Sequence, residues 1–227
     1  MPRVIVFDVN ETLLDLAALD VHFERIFGQA QVRATWFAQF IQCALVATVT
    51  NHYAPFGAIG MGALEMVAAS RGVTLRDADK QAVREGLGHL PAHPEVKSAL
   101  QTLRDSGLRL AALTNSTAAV AETQLTNAGL RDLFEGVFSA DSVKRLKPAP
   151  EPYRYTAAQM GVSTDQIRLV AAHAWDIAGA LRAGAAAAFV ARPGIVLDPN
   201  VEKPDIVEAN MTDIARKIIA VELATSH

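Results

Sequence analysis

The segment from Val4 to Phe7 is an unbroken apolar, β-branched run that stops at Asp8. A run without the alternation of a half-exposed strand predicts a short strand covered on both faces. The same texture returns in "LRLAALTN" (108–115), "IRLVAA" (167–172) and "AAAFVAR" (186–192), and the first two of these lead into helical patterns. Strands alternating with helices predict a parallel sheet between helical layers, an α/β Rossmann-like three-layer core.

Between the first and second of these runs the period changes. "ALDVHFERIFG", "RATWFAQFIQCALVATVT", "ALEMVAASRG" and "RDADKQAVREGLG" carry helical spacing, several with glycine at the expected stop. The expected architecture is a catalytic core of residues 1–14 and 92–227 with an all-helical cap, residues 15–91, inserted after the first strand. "EVKSALQTLRDSG" then leads back to the sheet. "GAIGMG" lacks the preceding strand of a dinucleotide fingerprint and reads as close helix packing or a turn.

Composition narrows the partners. With 227 residues, 51% of them hydrophobic, and a mean hydropathy of +0.19, the chain has material for a sizeable core. A net charge of -3 argues against a broad phosphate-binding surface, so no nucleic-acid partner is expected. The single Cys43 excludes an internal disulfide framework and reads as a small buried hydrophobe. No apolar run is read as long enough to span a bilayer, so a soluble cytoplasmic protein without a membrane partner is expected. His89 and His93 mimic a metal pair, but Pro91 disrupts helical pairing, and neither a metal nor a cofactor is expected.

In an open parallel sheet, ligands sit at the carboxyl ends of the strands. That rule selects Asp8 after the first strand, Thr114 and Asn115 after the second run, and His173, Trp175 and Asp176 after "IRLVAA". Lys147 lies in the proline-rich "SVKRLKPAP". A lysine ammonium close to two carboxylates would keep a nucleophilic aspartate ionised, whereas two acids alone would raise one pKa.

The ordered set Asp8, Thr114-Asn115, Lys147-Pro148 and Asp176 resembles the four motifs of the haloacid dehalogenase superfamily over nearly the whole chain. The phosphotransferase branch of that superfamily uses Mg²⁺ and a second acid two residues after the nucleophile; here that position is Asn10, and a further acidic position of its last motif falls on Ala172. Displacing a halide needs neither a metal nor an acid to protonate the leaving group. "LTNST", "LKPAPEPY" and "AHAWD" are similar to segments of the L-2-haloacid dehalogenase subfamily. The resemblance implies an (S)-2-haloacid dehalogenase that converts short 2-haloalkanoic acids to 2-hydroxy acids through a covalent aspartyl ester, and a homodimer. It implies Asp8 as nucleophile, with Lys147 neutralising it and Asp176 beside that lysine and the hydrolytic water. Thr114 and Asn115 would hold the substrate carboxylate and leaving group, and Tyr153 would tie the carboxylates and lysine together.

The likeness has gaps. The subfamily's halide-binding arginine after a tryptophan of the cap aligns with Phe37, which follows Trp36, and Arg33 is the nearest cation on that stretch. His173 stands where asparagine is common, and Ala171 and Ala172 where serines are common. Asn10, Trp36, Phe37, Tyr153, His173 and Trp175 are therefore the expected substrate and halide contacts, in a pocket that could take fluoroacetate. Two rival readings are a divergent Mg²⁺-dependent phosphatase or phosphonate hydrolase, and a non-catalytic binding protein on the same fold.

Overall fold

In the computed structural model, residues 2–224 are described. The chain enters through β1 (Val4–Phe7), buried along its whole length, and passes a tight turn at residues 9–14 into four helices. These are α1 (Asp20–Phe27), α2 (Val32–Val49), α3 (Phe56–Ser70) and α4 (Asp77–Gly88). It returns through α5 (Val96–Asp105) to β2 (Leu110–Thr114), α6 (Ala118–Asn127) and β3 (Gly136–Ser139). Then follow α7 (Pro150–Gln159), β4 (Ile167–Ala171), α8 (Ala174–Ala183), β5 (Ala186–Val190), β6 (Ile206–Glu208) and α9 (Met211–Ala224).

The six strands form one parallel sheet in the order β3-β2-β1-β4-β5-β6. The chain builds outward from β1 on one side and then restarts with β4 on the other, so a crevice opens at the carboxyl ends of β1 and β4. Asp8 and His173 stand at that crevice, and Asp8 N continues the ladder by donating to Val170 O at 3.0 Å. The hydrophobic pattern does not announce β3 or β6. Both are edge strands: three of four residues in β3 are only half-buried, and β6 has three residues.

The inserted helices form a cap with an aromatic core. Trp36 is fully buried, its ring 5.2 Å from Phe23 and 5.6 Å from Phe40, and its indole N–H donates to Gly60 O at 2.9 Å. Gly60 lets α3 approach α2, because a Cβ there would lie 2.7 Å from the Phe40 ring. "GAIGMG" is thus helix packing. Two composition-based expectations change. With 18 residues and a mean hydropathy of 1.2, α2 is long and apolar enough to cross a bilayer; the amphipathic pattern hides this because its apolar residues occur on every face. Its Trp36, Phe40 and Ala44 are buried against the rest of the cap. Cys43 is half-buried rather than buried, with its Sγ 3.8 Å from Met66 Sδ.

Beneath the crevice, α8 starts at His173 in extended backbone and stops at Gly184, whose φ of 97° suits glycine. Its Gly179 faces the Lys147-Pro148 loop: a Cβ there would meet Pro148 Cβ at 2.5 Å, Tyr153 OH at 2.6 Å and Pro148 O at 2.8 Å. Because backbone is among those atoms, the neighbours cannot simply rotate away. Gly179→Ala is expected to cost about 1–3 kcal/mol through overpacking, read as a lower urea midpoint with reduced turnover. An unchanged midpoint would show that the loop yields freely.

Candidate active site

Lys147 is the centre of the crevice. Its side chain is fully buried, and its Nζ donates to Asp8 Oδ1 at 2.8 Å, Asp176 Oδ2 at 2.6 Å and Leu113 O at 3.2 Å. The three donors of an ammonium are thereby spent. Asn115 holds the loop that carries it, accepting from Lys147 N at 2.8 Å and donating to Lys147 O at 3.4 Å. The Asn115 amide is therefore engaged with backbone while the residue also lines the enclosed space. Thr114 ends β2, and its hydroxyl oxygen accepts from Ser116 N at 3.1 Å.

Asp176 lies in the first turn of α8, where the helix dipole favours a carboxylate. Its Oδ1 accepts from Tyr153 OH at 2.6 Å. Tyr153 thus ties Asp176, and through it Lys147, as expected, but it sits behind the crevice and does not line it. Burial pushes the Asp176 carboxyl up against the pull of Lys147, and burial beside the same carboxylate raises the Tyr153 phenol well above its ordinary value.

Asp8 has a donor on each oxygen. Thr12 donates to Oδ2 at 2.7 Å and in turn accepts from Ala172 N at 2.9 Å. Sequence reasoning missed Thr12, although its place four residues after Asp8, on the turn following the strand, was a usable signal. Burial opposes ionisation of Asp8, but Lys147 and His173 overcome it and hold the carboxyl well below the usual range. Asp8 is thus ionised and buried at once.

His173 supplies the second cation. Its Nε2 lies 3.2 Å from Glu11 Oε2, and its Nδ1 lies 3.7 Å from Asp8 Oδ2, too long for a hydrogen bond but close enough for charge to be felt. Burial would lower its pKa, yet Asp8 and Glu11 raise it to about 9. Its ring stacks on Trp175 at 5.3 Å and tilts against Phe37 at 5.6 Å. Glu11 was also missed; an acid three residues past a strand-ending aspartate carries no pattern of its own. Arg33 does not reach the crevice: it pairs with Asp20 at 2.5 Å and Glu11 at 3.6 Å.

The space enclosed is lined by Asp8, Asn10, Phe37, Ile41, Phe56, Thr114, Asn115, Lys147, His173 and Trp175. Its free volume is about 10 Å³, roughly the minimum that seats one water. Asn10 faces it while accepting from Gln124 Nε2 at 3.1 Å. Trp36 is corrected: expected at the substrate, it is buried in the cap with its only polar atom bonded to Gly60. Its neighbour Phe37 lines the space instead, because consecutive helical positions point about 100° apart. Among the described residues no cluster of three or more His, Cys, Asp or Glu is arranged to hold a metal ion. His89 and His93 are each turned to a backbone carbonyl, of Glu85 and Glu11.

Known proteins resemble this chain over nearly its whole length. An (S)-2-haloacid dehalogenase from Pseudomonas sp. (strain CBS-3) is 26% identical over 214 residues, covering 93% of each chain. A haloacetate dehalogenase from Moraxella sp. (strain B) is 26% identical over 218 residues, covering 95% of this chain and 97% of that one. A crystal structure of an L-2-haloacid dehalogenase superposes with a TM-score of 0.90 at 28% identity, covering 96% of this chain and 98% of that one. The family model of haloacid dehalogenase-like hydrolases matches residues 2–184, which spans both the crevice and the inserted helices, and the chain belongs to that family.

Proposed function

We propose that this hydrolase removes halide from short 2-haloalkanoic acids such as chloroacetate, with Asp8 as covalent nucleophile and no divalent ion. The observation that carries the reading is the Lys147 ammonium, fully buried between Asp8 and Asp176 at 2.8 and 2.6 Å. It keeps Asp8 ionised where water is scarce, the state needed to attack the carbon bearing the halogen. An Asp8 oxygen bonds to that carbon as the halide departs. Water then attacks the aspartyl carbonyl, and the 2-hydroxy acid leaves. Whichever Asp8 oxygen remains as carbonyl keeps a donor, Lys147 on Oδ1 or Thr12 on Oδ2, to steady the charge of the tetrahedral intermediate.

The carboxylate oxygens that a hard cation would require are already engaged. Asp8 and Asp176 spend theirs on Lys147, Thr12 and Tyr153, and Asn10 offers only an amide. This disfavours the phosphatase reading. A non-catalytic role is disfavoured by the desolvation of three charged groups around the enclosed space. In place of the arginine that Phe37 replaces, His173 is the cation for the departing halide, with Trp175 and Phe37 as walls. Thr114 completes the substrate pocket. Residues 15–91 act as the cap that closes it, and the reading includes a cytoplasmic homodimer.

The covalent route has a direct test. One turnover in ¹⁸O-labelled water, with chelator present, is expected to release chloride from chloroacetate and to leave label in the peptide containing Asp8. Asp8→Asn should abolish release and Lys147→Ala should reduce it by about 10³-fold or more, as losing a charged partner of the reacting group does. Label found only in product, or phosphate-ester hydrolysis that depends on Mg²⁺, would replace this reading.

The tight crevice also sets substrate size. Fluoroacetate is expected to yield fluoride above a buffer blank, because a small charged donor at His173 and little spare volume suit a compact anion. Fluoride release at the blank rate alongside brisk chloroacetate turnover would remove it from the substrate range.

His173 makes stability depend on pH. Its folded pKa of about 9 lies above the ordinary 6.5, so its contribution is fully present below about 6.5 and is lost as pH rises through 9. The urea midpoint should therefore fall between pH 7 and 10, more steeply than in His173→Asn. Identical slopes in the two proteins would show that His173 is neutral at pH 7.

A further inference from the structure

The enclosed space at Asp8 has about 10 Å³ free, with no room for a chain beyond the reacting carbon. Beside it lies a groove with about 770 Å³ free, in the range of sites that hold a small organic molecule. Asn10 and Phe56 line both, so they form the wall between the two. The other sides of the groove come from α3 and the end of α4 in the cap and from α6 in the core.

The cap side of the groove is apolar: Phe40, Met61 and Leu87 join Phe56, and the Phe40 and Phe56 ring centroids stand 4.1 Å apart. Gly62 lies in the interior of α3, where glycine weakens a helix. A Cβ there would meet nothing within 4 Å, so packing does not require the glycine, and its effect is to widen the groove.

Gln124 of α6 holds the wall in place. It is 1% exposed, and its Nε2 donates to Leu87 O at 2.7 Å and to Asn10 Oδ1 at 3.1 Å. Leu87 O is a backbone carbonyl that can only accept, which fixes the orientation of the amide. Gln124 Oε1 is therefore an acceptor, buried without a hydrogen-bond partner among the described residues. A buried polar atom left unpaired costs stability and calls for an account. The adjacent Asn10 carries the matching donor. When Asn10 swings out of the wall, its Nδ2 can bond Gln124 Oε1 in place of the bond it gives up, so the two amides have a closed and an open arrangement.

We infer that the groove receives the alkyl chain of 2-haloalkanoic acids longer than three carbons, and that Asn10 and Gln124 form the gate through which the chain passes. The inference rests on dehalogenation at Asp8 and extends its substrates from short acids to long ones. Head and tail of such an acid match the two compartments. Lys147 and His173 stand at the space that takes the carboxylate and halogen, while Phe40, Met61 and Leu87 offer the methylene groups an apolar wall. The groove shares its wall with the crevice, so a chain attached to the reacting carbon gains free volume past Asn10 and Phe56. Each methylene buried there is worth up to about fourfold in affinity. Gln124 is a specificity-determining residue in this arrangement, because it acts on the chain through Asn10.

The test compares chloroacetate, (S)-2-chlorobutanoate and (S)-2-chlorooctanoate as substrates of the full-length chain, read as chloride release. In the wild type, kcat/KM is expected to rise from the butanoate to the octanoate. Gly62→Leu fills the groove at a position where leucine favours the helix, so folding is protected. It should lower the octanoate-to-butanoate ratio of kcat/KM about tenfold or more, within the range for a few lost methylene contacts. Gln124→Leu removes the bond that keeps Asn10 in the wall and should raise that ratio about threefold, the worth of one hydrogen bond in the closed arrangement. Chloride release from chloroacetate with no rise in kcat/KM toward the octanoate, or a ratio unmoved by Gly62→Leu, would overturn the groove as a chain site. A ratio unmoved by Gln124→Leu would overturn the gate. No chloride release from chloroacetate by the wild type would overturn the dehalogenase reading on which both rest.

Discussion

A buried ammonium between two carboxylates governs how this molecule is built. Taking each ion out of water costs several kcal/mol. At an effective dielectric of about 20, a contact at 2.8 or 2.6 Å returns roughly 6 kcal/mol. Neither attraction survives a displacement of an ångström or two without loss. The surroundings accordingly over-determine Lys147: Asn115 grips its backbone at both ends, Tyr153 anchors Asp176, and Gly179 lets α8 close on Pro148.

The same constraint explains the division between sheet and cap. The parallel sheet delivers Asp8, Thr114 and His173 at the ends of three neighbouring strands, where backbone geometry is fixed by the ladder. The cap contributes few polar groups to the enclosed space. Phe37, Ile41 and Phe56 supply an apolar lining, which keeps the local dielectric low and makes the neighbouring charges effective. Arg33 reaches the core through Glu11, so the ion pair joining α2 to the rim of the crevice also touches the partner of His173.

His173 and Phe37 are best understood together. An arginine at the Phe37 position would bring a permanent charge; here the neighbouring basic group is His173, whose Nδ1 lies 3.7 Å from Asp8 Oδ2. Phe37 packs its ring on that imidazole at 5.6 Å and helps exclude water from it.

The class of fold, most helices, and the set Asp8, Lys147 and Asp176 are legible in the order of amino acids, because each rests on a local signal: a buried strand ended by an acid, a helical period closed by glycine, a lysine before proline. Strands β3 and β6 are not, since an edge strand of three or four residues is too short to show a period. Nor does the order of residues distinguish Trp36 from Phe37, adjacent aromatics whose fates differ by one helical step. Glu11 and the bond from Asn115 to the Lys147 backbone acquire their roles only once the chain has folded. Their meaning lies in distances between segments far apart in the chain, and no pattern within a single segment encodes such a distance.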